Sequence, residues 1–547
     1  MEALVARKAR GAFFTPPEMA SFIASWALRD GADCVLEPSC GEAAFLLPTV
    51  DRLLALGAHK GDVSSQVYGA ELYLPSAVEA CSAVRRATGV DLTHCVAVGD
   101  FFGRRAGADF PLVDACIGNP PYVRYQSFAG DARRRGRAAA LAQGVAIDGL
   151  ASSWAPFTVH AASFLKPGGR LGLVLPAELL SVNYAAPVRK YLLERFGSVR
   201  VILFEERVFP GVLEEVVLLL AEGEGPCGQF DVVQLNGLSD LDNLPGRTWL
   251  PSPESGKWTS LLLPSSVREA IGEVENTRKM VTLSEHGDIS IGMVTGGNTF
   301  FCLTEPERAA AGITPTHLHK IMPPGSKHTP GLVFDSTAWQ RALREHKRVW
   351  LFAPAKRHSR AVDEYIAHGL QHGVDAAYKC RVRAPWYRVP LVAAPDLFLV
   401  YMANEGPRLI ANLAGLLNVN SVHGVYLKED YRPFCSVLPV AALSTFTLLG
   451  SELAGRAYGG GLLKLEPREA GRIPVPSVSL LKECEAELLS IKPDVEARLS
   501  SHRFKEAVAL VDGVLLISAL GLSASTLASL RNGREHLYGR RRKRSQG

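Results

Sequence analysis

The sequence predicts an α/β fold in which an open sheet in the first half of the chain is followed by a separate second half. Three acidic residues, Glu37, Glu71 and Asp100, each follow a short apolar segment and are therefore expected at the carboxyl ends of strands. A fourth apolar segment, 113–118, runs directly into Asn119. Because open α/β sheets bind ligands at the carboxyl ends of their strands, these four positions predict one shared site.

The three acidic positions have the spacing of a nucleotide-binding half-sheet. Glu37 enters a tight turn of small residues that reaches Gly41, and a helical segment follows. The carboxylate of Glu71 can accept hydrogen bonds from both hydroxyls of a ribose. Asp100 can accept from an adenine amino group, and Phe101 can cover the ring. Any one of these acids could instead cap the next helix, but all three in this order are hard to explain as caps.

The tetrapeptide Asn119-Pro120-Pro121-Tyr122 is the most informative motif of the chain. Two consecutive prolines have no N–H to donate and hold the backbone extended, so the Asn119 side chain and the Pro120 carbonyl can both point outward as acceptors. Tyr122 adds a flat aromatic face. Two acceptors beside a stacking ring suit the exocyclic amino group of a planar base. The alternative is a proline-rich turn that only closes a strand.

Together, these motifs resemble those of the amino-group DNA methyltransferases of the N6-adenine type, in the gamma arrangement of the TaqI-like restriction-modification methylases. The segments 11–17, 168–176 and 206–210 add to the likeness. The resemblance implies a Rossmann-like class I sheet that binds S-adenosylmethionine, followed by a C-terminal α+β domain that recognises the DNA target. One position departs from the family, because Ala43 stands where a second glycine is usual.

The resemblance also implies roles for individual residues. Asn119, Pro120 and Tyr122 would form the catalytic loop, and Phe209 would stack on the extruded base. Thr15 would touch the methionine end of the cofactor. The cofactor contacts as a whole are expected to be Thr15, Glu37, Ser39, Gly41, Glu71, Asp100, Phe101 and Pro121.

The second half is expected to read the DNA sequence. Its segments 289–301, 378–387 and 417–423 resemble, more loosely, the target-recognition regions of related methyltransferases. Arginine can bind guanine with two hydrogen bonds, asparagine can bind adenine in the same way, and lysine can contact a phosphate. The candidates are Arg381 and Arg383 for guanine, Asn418 and Asn420 for adenine, and Lys379 for phosphate. Each of them could equally satisfy a local turn.

Basic residues elsewhere give two further candidate contacts to DNA. The net charge of +5 and the isoelectric point near 8.6 are only mildly basic, so a phosphate-binding surface has to be a local patch. Arg133 and Arg135 follow the catalytic loop and are expected to contact phosphates beside an extruded base, unless they form a solvated turn. The run 540–544 is typical of a solvated end.

Composition excludes several other classes of protein. The ten cysteines form no CxxC pair and no cluster with histidine at zinc spacing, so they are expected to be reduced, and no metal site is expected. No apolar stretch approaches the length of a membrane span, and the segment 1–10 lacks the apolar core of a signal peptide. The sequence therefore predicts a soluble, cytoplasmic protein.

Composition shifts predict the domain boundaries. The segment 222–227 is rich in glycine and glutamate, and 244–257 is rich in proline, glycine and serine, which is typical of a connection between domains. Before it, a helix over 18–28 and strands over 199–205 and 216–221 are predicted, the two strands as an antiparallel edge. The expected organisation is a catalytic domain 1–225, a connecting segment 226–275, a target-recognition domain 276–476 and a helical segment with a basic tail 477–547.

The predicted reaction is transfer of a methyl group from S-adenosylmethionine to N6 of an adenine that has been rotated out of a short duplex motif. The setting would be a restriction-modification system, with or without a separate endonuclease. The alternatives are an RNA adenine or protein glutamine methyltransferase, or a non-catalytic DNA-binding subunit. Cytosine N4 presents a similar amino group. A fused nuclease built on Asp335 and 345–347 is disfavoured, because this region has a helical pattern.

Overall fold

The computed structural model describes most of the chain as two compact units, which divide between Leu262 and Leu263. The described residues are 15–204, 208, 216–228, 230–241, 244, 246–249, 258–325, 331–458 and 461–543. Phe209, the segment 11–14, residues 206–207 and Arg544 therefore lie outside the described residues, although each was part of a sequence-based prediction.

The first unit contains a central sheet of nine described strands. They are β1 Val35–Glu37, β2 Val67–Glu71, β3 Val96–Val98, β4 Val113–Gly118, β5 Leu165–Pro176, β6 Ser198–Phe204, β7 Val216–Glu222, β8 Phe230–Leu235 and β9 Arg247–Trp249. Their order across the sheet is β3-β2-β1-β4-β5-β7-β6-β8-β9. Neighbours among β1 to β5 pair in parallel, whereas β7 is antiparallel to both β5 and β6.

Helices join the strands of this sheet, as the predicted α/β fold requires. They are α1 Pro17–Ala27, α2 Leu46–Ala55, α3 Lys60–Val63, α4 Leu74–Thr88, α5 Gly130–Leu141, α6 Trp154–Ala162, α7 Glu178–Ser181 and α8 Ala186–Arg195. Met19, Ile23 and Ala27 lie four residues apart on α1 and are fully buried, which confirms the helix predicted over 18–28. α4 ends at Gly89, whose φ of 78° suits the left-handed end of a helix.

Two predictions about the far side of the sheet are wrong. β6 and β7 are not its edge, because β7 lies between β5 and β6, and β8 and β9 extend the sheet further. The segment from residue 226 is also not simply a connection. Its Val232, Val233 and Leu235 are buried where β8 pairs with β6. The glycine-rich stretch before it is a turn between strands, in which Gly223 and Gly225 have φ of 77° and 90°.

The strand order places a ligand-binding crevice at the middle of the sheet. The chain proceeds from β1 outward to β2 and β3, then returns to the other side of β1 as β4. Val35 and Leu36 of β1 pair with Ala115 and Cys116 of β4. At such a reversal of strand order, the loops that follow the two strands diverge and leave a crevice at their carboxyl ends. Residues directly after β1 and β4 therefore face the same space.

The second unit is an α+β arrangement of small sheets. Its strands are β10 Met280–Thr282, β11 Gly287–Ile291, β12 Cys302–Leu303, β13 Leu318–Lys320, β14 Val333–Phe334, β15 Trp350–Phe352, β16 Leu397–Val400, β17 Met402–Ala403, β18 Arg408–Asn412, β19 His423–Leu427, β20 Arg456–Tyr458, β21 Leu462–Lys464 and β22 Pro474–Pro476. The largest of its sheets has the order β11-β19-β16-β18-β14 over the described residues and is antiparallel except for the pair β14 and β18.

Helices of the second unit are short until residue 478. They are α9 Ser265–Asn276, α10 Leu283–His286, α11 Asn298–Phe301, α12 Glu305–Ala310, α13 Ser336–Arg344, α14 Arg360–Gln371, α15 Tyr378–Arg381, α16 Leu438–Ala441, α17 Thr445–Ala454, α18 Pro467–Ala470, α19 Val478–Ser500, α20 Phe504–Asp512 and α21 Ala524–Lys543. Asp335 caps α13, because its Oδ1 accepts from the Ala338 N–H at 2.8 Å. The nuclease-like residues thus lie at a helix rather than on strands.

Buried arginines fix the last helix, α21, to the rest of the second unit. Arg541 donates from Nε and Nη2 to the Glu452 carboxylate at 3.0 and 2.7 Å, and both side chains are buried. Its Nη2 also donates to the carbonyl of Asn404 at 2.8 Å. Arg534 is buried as well and donates to the carbonyl of Glu405 at 2.8 Å. The basic run 540–544, predicted as a solvated end, is therefore in part a structural element.

The described residues contain neither a membrane-spanning helix nor a cluster of metal ligands. No helix there is both long and apolar enough to cross a membrane. No group of three or more histidine, cysteine, aspartate or glutamate side chains in that part of the chain has the arrangement of a metal site.

Candidate active site

Asn119 directly follows the central strand β4 and is held in one orientation. Its side-chain Nδ2 donates to the hydroxyl of buried Thr15 at 3.1 Å. Its backbone carbonyl accepts from the Ser39 hydroxyl, in the turn after β1, also at 3.1 Å. The side-chain Oδ1 of Asn119 is buried and has no hydrogen-bond partner among the described residues. The donor nitrogen of the amide is therefore engaged by Thr15, whereas its acceptor oxygen has no donor.

The rest of the loop is anchored on both sides. The Tyr122 hydroxyl donates to the carbonyl of Val174 in β5 at 2.9 Å, and its half-buried ring packs against the core. The Ser153 hydroxyl, just before α6, donates to the Pro121 carbonyl and accepts from the Val123 N–H at 2.9 Å. Ser153 therefore fixes the proline loop on the side of α6.

Glu37 lies at the end of β1, where the neighbouring turn leads into α2. Its carboxylate is buried and accepts from the backbone N–H groups of Phe45 and Leu46, at the start of α2, while Oε2 has no hydrogen-bond partner among the described residues. Burial, with a smaller contribution from the nearby Glu71, raises the pKa of Glu37 well above its usual range. An uncompensated buried acceptor is costly unless a ligand supplies a donor.

Glu37 also gives a stability prediction. Below its usual pKa of 4.5 the carboxyl is protonated in both the folded and the unfolded chain, so its protonation does not change the free energy of unfolding. Above pH 4.5 the unfolded chain ionises first, and the free energy of unfolding falls by up to about 1.4 kcal/mol per pH unit until the folded group also ionises. Glu37→Gln should remove this loss, so the free energy of unfolding of the variant relative to the wild type should increase as the pH rises above 4.5.

Chemical denaturation at several pH values measures this difference. The matched control is Glu79→Gln, which changes an exposed carboxyl on α4. Parallel stability curves for Glu37→Gln and Glu79→Gln would show that the Glu37 carboxyl ionises normally in the folded protein.

The turn after β1 is tied to the end of β2. The Gly41 N–H donates to Oε2 of Glu71 at 2.9 Å, and the Tyr73 N–H donates to Oε1 at 3.0 Å. Gly41 has a φ of 51° and Ala43 a φ of 68°, so both adopt the left-handed conformation that favours glycine. The alanine that departs from the family pattern thus keeps the glycine-like backbone shape. Each Glu71 oxygen retains a further lone pair for an external donor.

Asp100 follows β3 and is connected to both the site and α5. Its Oδ1 accepts from the Phe102 N–H at 3.0 Å, and its Oδ2 lies 2.9 Å from Nε of Arg135. That Oδ2 is buried and lacks a hydrogen bond of good geometry among the described residues. Asp100 therefore connects the end of β3 to α5 through Arg135.

Phe101 does not present a ring face to the crevice, so its predicted adenine contact is not supported. It is only 4% exposed and packs against Phe157, His160 and Phe164, with centroids 5.0, 4.7 and 5.1 Å away. Of the two adjacent aromatic residues, Phe101 is buried in the core and Phe102 is half-buried. The sequence alone does not distinguish these two positions.

The arginines after the catalytic loop bind other groups of the same chain. Arg133 donates from Nε to the Phe128 carbonyl at 2.5 Å and from Nη2 to the Tyr125 carbonyl. Arg135 pairs with Asp100. In this structure nearby carbonyls and a carboxylate bind these guanidinium groups, so the predicted phosphate contacts would require both arginines to exchange partners.

The predicted DNA-contacting residues of the second unit fall into two groups, those that bind backbone carbonyls and those that are exposed. Asn418 is fully buried and donates to the Val422 carbonyl at 2.9 Å. Arg383 donates from Nη1 to the Thr295 carbonyl at 2.7 Å and from Nη2 to the Val294 carbonyl. Backbone carbonyls thus bind both side chains, which leaves them fewer donors for the predicted base contacts. The remaining candidates are exposed, and they are Lys379, Arg381 and Asn420.

Two family models match the chain, one for each half. Residues 1–236 match the model described as N-6 DNA Methylase, and residues 255–516 match the C-terminal domain of the type II methyltransferase M.Eco57I. The type II methyltransferase M.XamI of Xanthomonas campestris pv. amaranthicola is 25% identical over 487 residues, which cover 86% of each chain. M.AccI of Acinetobacter calcoaceticus is 22% identical and covers 69% of this chain and 72% of its own.

The chain belongs to the DNA methyltransferases of restriction-modification systems. The function predicted from the sequence, that of a modification methylase of a restriction-modification system, is confirmed at this level. A solved type IIL restriction-modification enzyme, MmeI in complex with DNA, has the same fold over 93% of this chain and 73% of its own, with a TM-score of 0.56 and 11% identity. The fold of this methyltransferase is thus the predicted class I sheet followed by an α+β domain.

Proposed function

We propose that this methyltransferase transfers the methyl group of S-adenosylmethionine to N6 of adenine in a short duplex DNA motif. The observation that carries the proposal is a pair of buried oxygens without donors, Oε2 of Glu37 and Oδ1 of Asn119. They lie after β1 and β4, on either side of the central crevice. A buried acceptor without a partner is costly, so both atoms are best explained by donors that ligands supply.

The residues at the strand ends fit this cofactor. Its ammonium, ribose hydroxyls and adenine amino group are all hydrogen-bond donors, and Glu37, Glu71 and Asp100 provide acceptors in matching order along the sheet. Ser39 and Gly41 shape the turn beside them. When bound, S-adenosylmethionine supplies a methyl group on a positively charged sulfur, and the leaving group is neutral.

Asn119 and Pro120 activate the target nitrogen. The amino nitrogen of adenine is a weak nucleophile because its lone pair is delocalised into the ring. Hydrogen bonds from its two N–H groups to Oδ1 of Asn119 and the Pro120 carbonyl favour a tetrahedral nitrogen and localise the lone pair. Thr15 keeps the Asn119 amide in the required orientation. Acceleration then comes largely from orientation, and no general base has to act before methyl transfer.

The target base has to leave the duplex to reach this site, at a cost of a few kcal/mol. Stacking on Tyr122 offsets part of that cost, because base stacking on an aromatic ring contributes about 1 to 3 kcal/mol. The hydroxyl of Tyr122 is bonded to β5, so the ring is held before the base arrives. Phe209 remains the proposed partner on the opposite face of the base.

The second unit supplies the contacts to the DNA motif. Exposed Lys379 contacts phosphate, and exposed Arg381 and Asn420 contact base edges. The modification would protect that motif from a separate restriction endonuclease, which is the proposed partner in the cell.

Arg381 and Arg383 form a matched pair that tests this assignment. Arg381→Ala should weaken DNA binding by about 1 to 3 kcal/mol and relax the preference at one base position. It should leave the free energy of unfolding within about 0.5 kcal/mol, as for other exposed positions. Arg383→Ala should instead lower the free energy of unfolding by about 1 to 3 kcal/mol, because two hydrogen bonds from a charged group to backbone carbonyls are lost. Titration with labelled duplex and chemical denaturation separate the two effects, and the opposite pattern would reverse the assignment.

Modification-sensitive sequencing tests the proposed function directly. The chain is expressed in a host without DNA methylation, beside the variant Asn119→Ala as an inactive control. The expected result is N6-methyladenine at one short motif for the wild type and none for the variant. Methylcytosine at the motif would overturn the choice of base. Unmodified DNA, with labelled methyl transferred to RNA or protein in a purified assay, would overturn the choice of substrate.

A further inference from the structure

The short helix α15 carries an unusual exposed surface. Tyr378 is 65% and Val382 is 62% exposed, the largest values for big hydrophobic side chains among the described residues of the second unit. They are four residues apart, so they share one side of the helical turn. Lys379, whose Nζ lies 5.6 Å from the centre of the Tyr378 ring, and Arg381 are exposed beside them. We call these four residues the α15 wedge.

Residues next to the α15 wedge pack and hydrogen-bond against the segment 294–296. Cys380 points the other way, is fully buried, and lies with its Sγ 3.7 Å from the Thr295 carbonyl. Arg383 donates two hydrogen bonds to the carbonyls of Val294 and Thr295. Gly296 has a φ of 93°, and a Cβ there would lie 2.9 Å from the Cys380 sulfur. Exposed apolar groups on so constrained a support are already oriented for a partner.

The charges around the α15 wedge favour DNA as that partner. Between Asp375 and Asp396 the sequence has four basic residues and no acidic one. A purely apolar partner would not require the exposed cations Lys379 and Arg381 beside the hydrophobic pair, whereas DNA combines an apolar base stack with two rows of phosphates. The phosphate rows match the cations, and the base stack matches Tyr378 and Val382.

We propose that Tyr378 and Val382 enter the duplex and separate stacked bases, while Lys379 binds the adjoining backbone and Arg381 contacts a neighbouring base edge. Apolar side chains inserted at a base step unstack it and bend the duplex. An aromatic ring compensates in part, because a base can stack on it. The inference rests on the proposed function only in taking DNA as the substrate. It adds a specific step, namely mechanical opening of the duplex by the second unit.

Fluorescence of 2-aminopurine tests the step. The probe is placed in turn at each position of a duplex that carries the motif found by sequencing, and its emission rises when stacking is lost. The wild type should raise the emission at one or two neighbouring positions without cofactor. The double variant Tyr378→Ala, Val382→Ala should abolish the rise, whereas Tyr378→Phe should retain it, because the ring and not the hydroxyl separates the bases.

Tyr458→Ala is the matched control. Tyr458 is also exposed in the second unit, at 53%, and Lys464 Nζ lies 5.0 Å from its ring centre. The control should keep the fluorescence signal and the methylation rate. The double variant should methylate the matched duplex about tenfold more slowly, or worse, from the loss of base stacking. A mismatch at the target base should restore much of that rate, because a mispaired base costs less to extrude.

Two outcomes have different meanings. If the double variant matches Tyr458→Ala in both fluorescence and rate on the paired duplex, the α15 wedge does not open DNA and this inference is overturned. If the wild type modifies no DNA in the sequencing experiment, the proposed function fails instead. Salt dependence of binding should be unchanged in the double variant, since both cations remain.

Discussion

Replacing Asn119 with alanine is expected to lower the single-turnover methylation rate by on the order of a hundredfold or more, the size of effect seen when a preorganised hydrogen-bond partner of a reacting group is removed. The variant loses Oδ1, the buried acceptor that has no partner among the described residues. Cofactor affinity should remain near normal, because Asn119 contacts the cofactor site only through its backbone carbonyl and Thr15. Rapid-quench methylation and calorimetric titration of S-adenosylmethionine measure the two quantities separately.

Two further variants make the Asn119 result specific. Asn183→Ala changes an exposed asparagine of the same unit and should leave the rate unchanged. Thr15→Val removes the hydroxyl that accepts from Nδ2 but leaves Oδ1 in place, so it should slow methylation less than Asn119→Ala does. If Asn119→Ala methylated DNA at the wild-type rate, the side chain of Asn119 would have no role in the reaction.

Replacing Glu71 with alanine is expected to reduce cofactor affinity at least tenfold. Each hydrogen bond to a charged group contributes about 1.5 to 3 kcal/mol, and about 1.4 kcal/mol corresponds to a factor of ten. Two causes act together, because the variant loses the proposed ribose contacts and also the acceptor for the N–H groups of Gly41 and Tyr73. Calorimetric titration with S-adenosylmethionine gives the affinity directly.

Glu71→Gln separates these two causes. Glutamine keeps one oxygen for a backbone N–H but loses the charge and one acceptor, so it should bind cofactor with an intermediate affinity. Glu79→Ala, on the exposed side of α4, should bind normally. If Glu71→Ala retained wild-type affinity, the carboxylate would serve only to connect two turns of the backbone.

The sequence predicted the catalytic half better than the second half, for a physical reason. Glu37, Glu71, Asp100 and Asn119 follow apolar segments directly, and the period of a buried strand identifies where each segment ends. The position of β7 between β5 and β6 depends on pairing between strands far apart in the sequence, which local patterns do not contain.

Hydrogen-bond partners in the folded chain distinguish candidate residues that look alike in the sequence. Arg381 and Arg383 are two positions apart and chemically identical, yet one is exposed and the other binds carbonyls almost ninety residues earlier. Asn418 and Asn420 differ in the same way. An arginine or asparagine has the same donors whether its acceptor is a base or a backbone carbonyl, so residue type alone does not predict which one it binds.

The buried pair of Arg541 and Glu452 affects how the protein is made. The two residues are 89 positions apart, and α21 supplies the positive charge. During synthesis, Glu452 leaves the ribosome long before its partner, and a buried carboxylate without its counter-ion costs about 3 to 5 kcal/mol. The second unit therefore cannot settle into its final packing until α21 has emerged. Nascent chains that stop before residue 541 would present an incomplete second unit to the cell's chaperones and proteases.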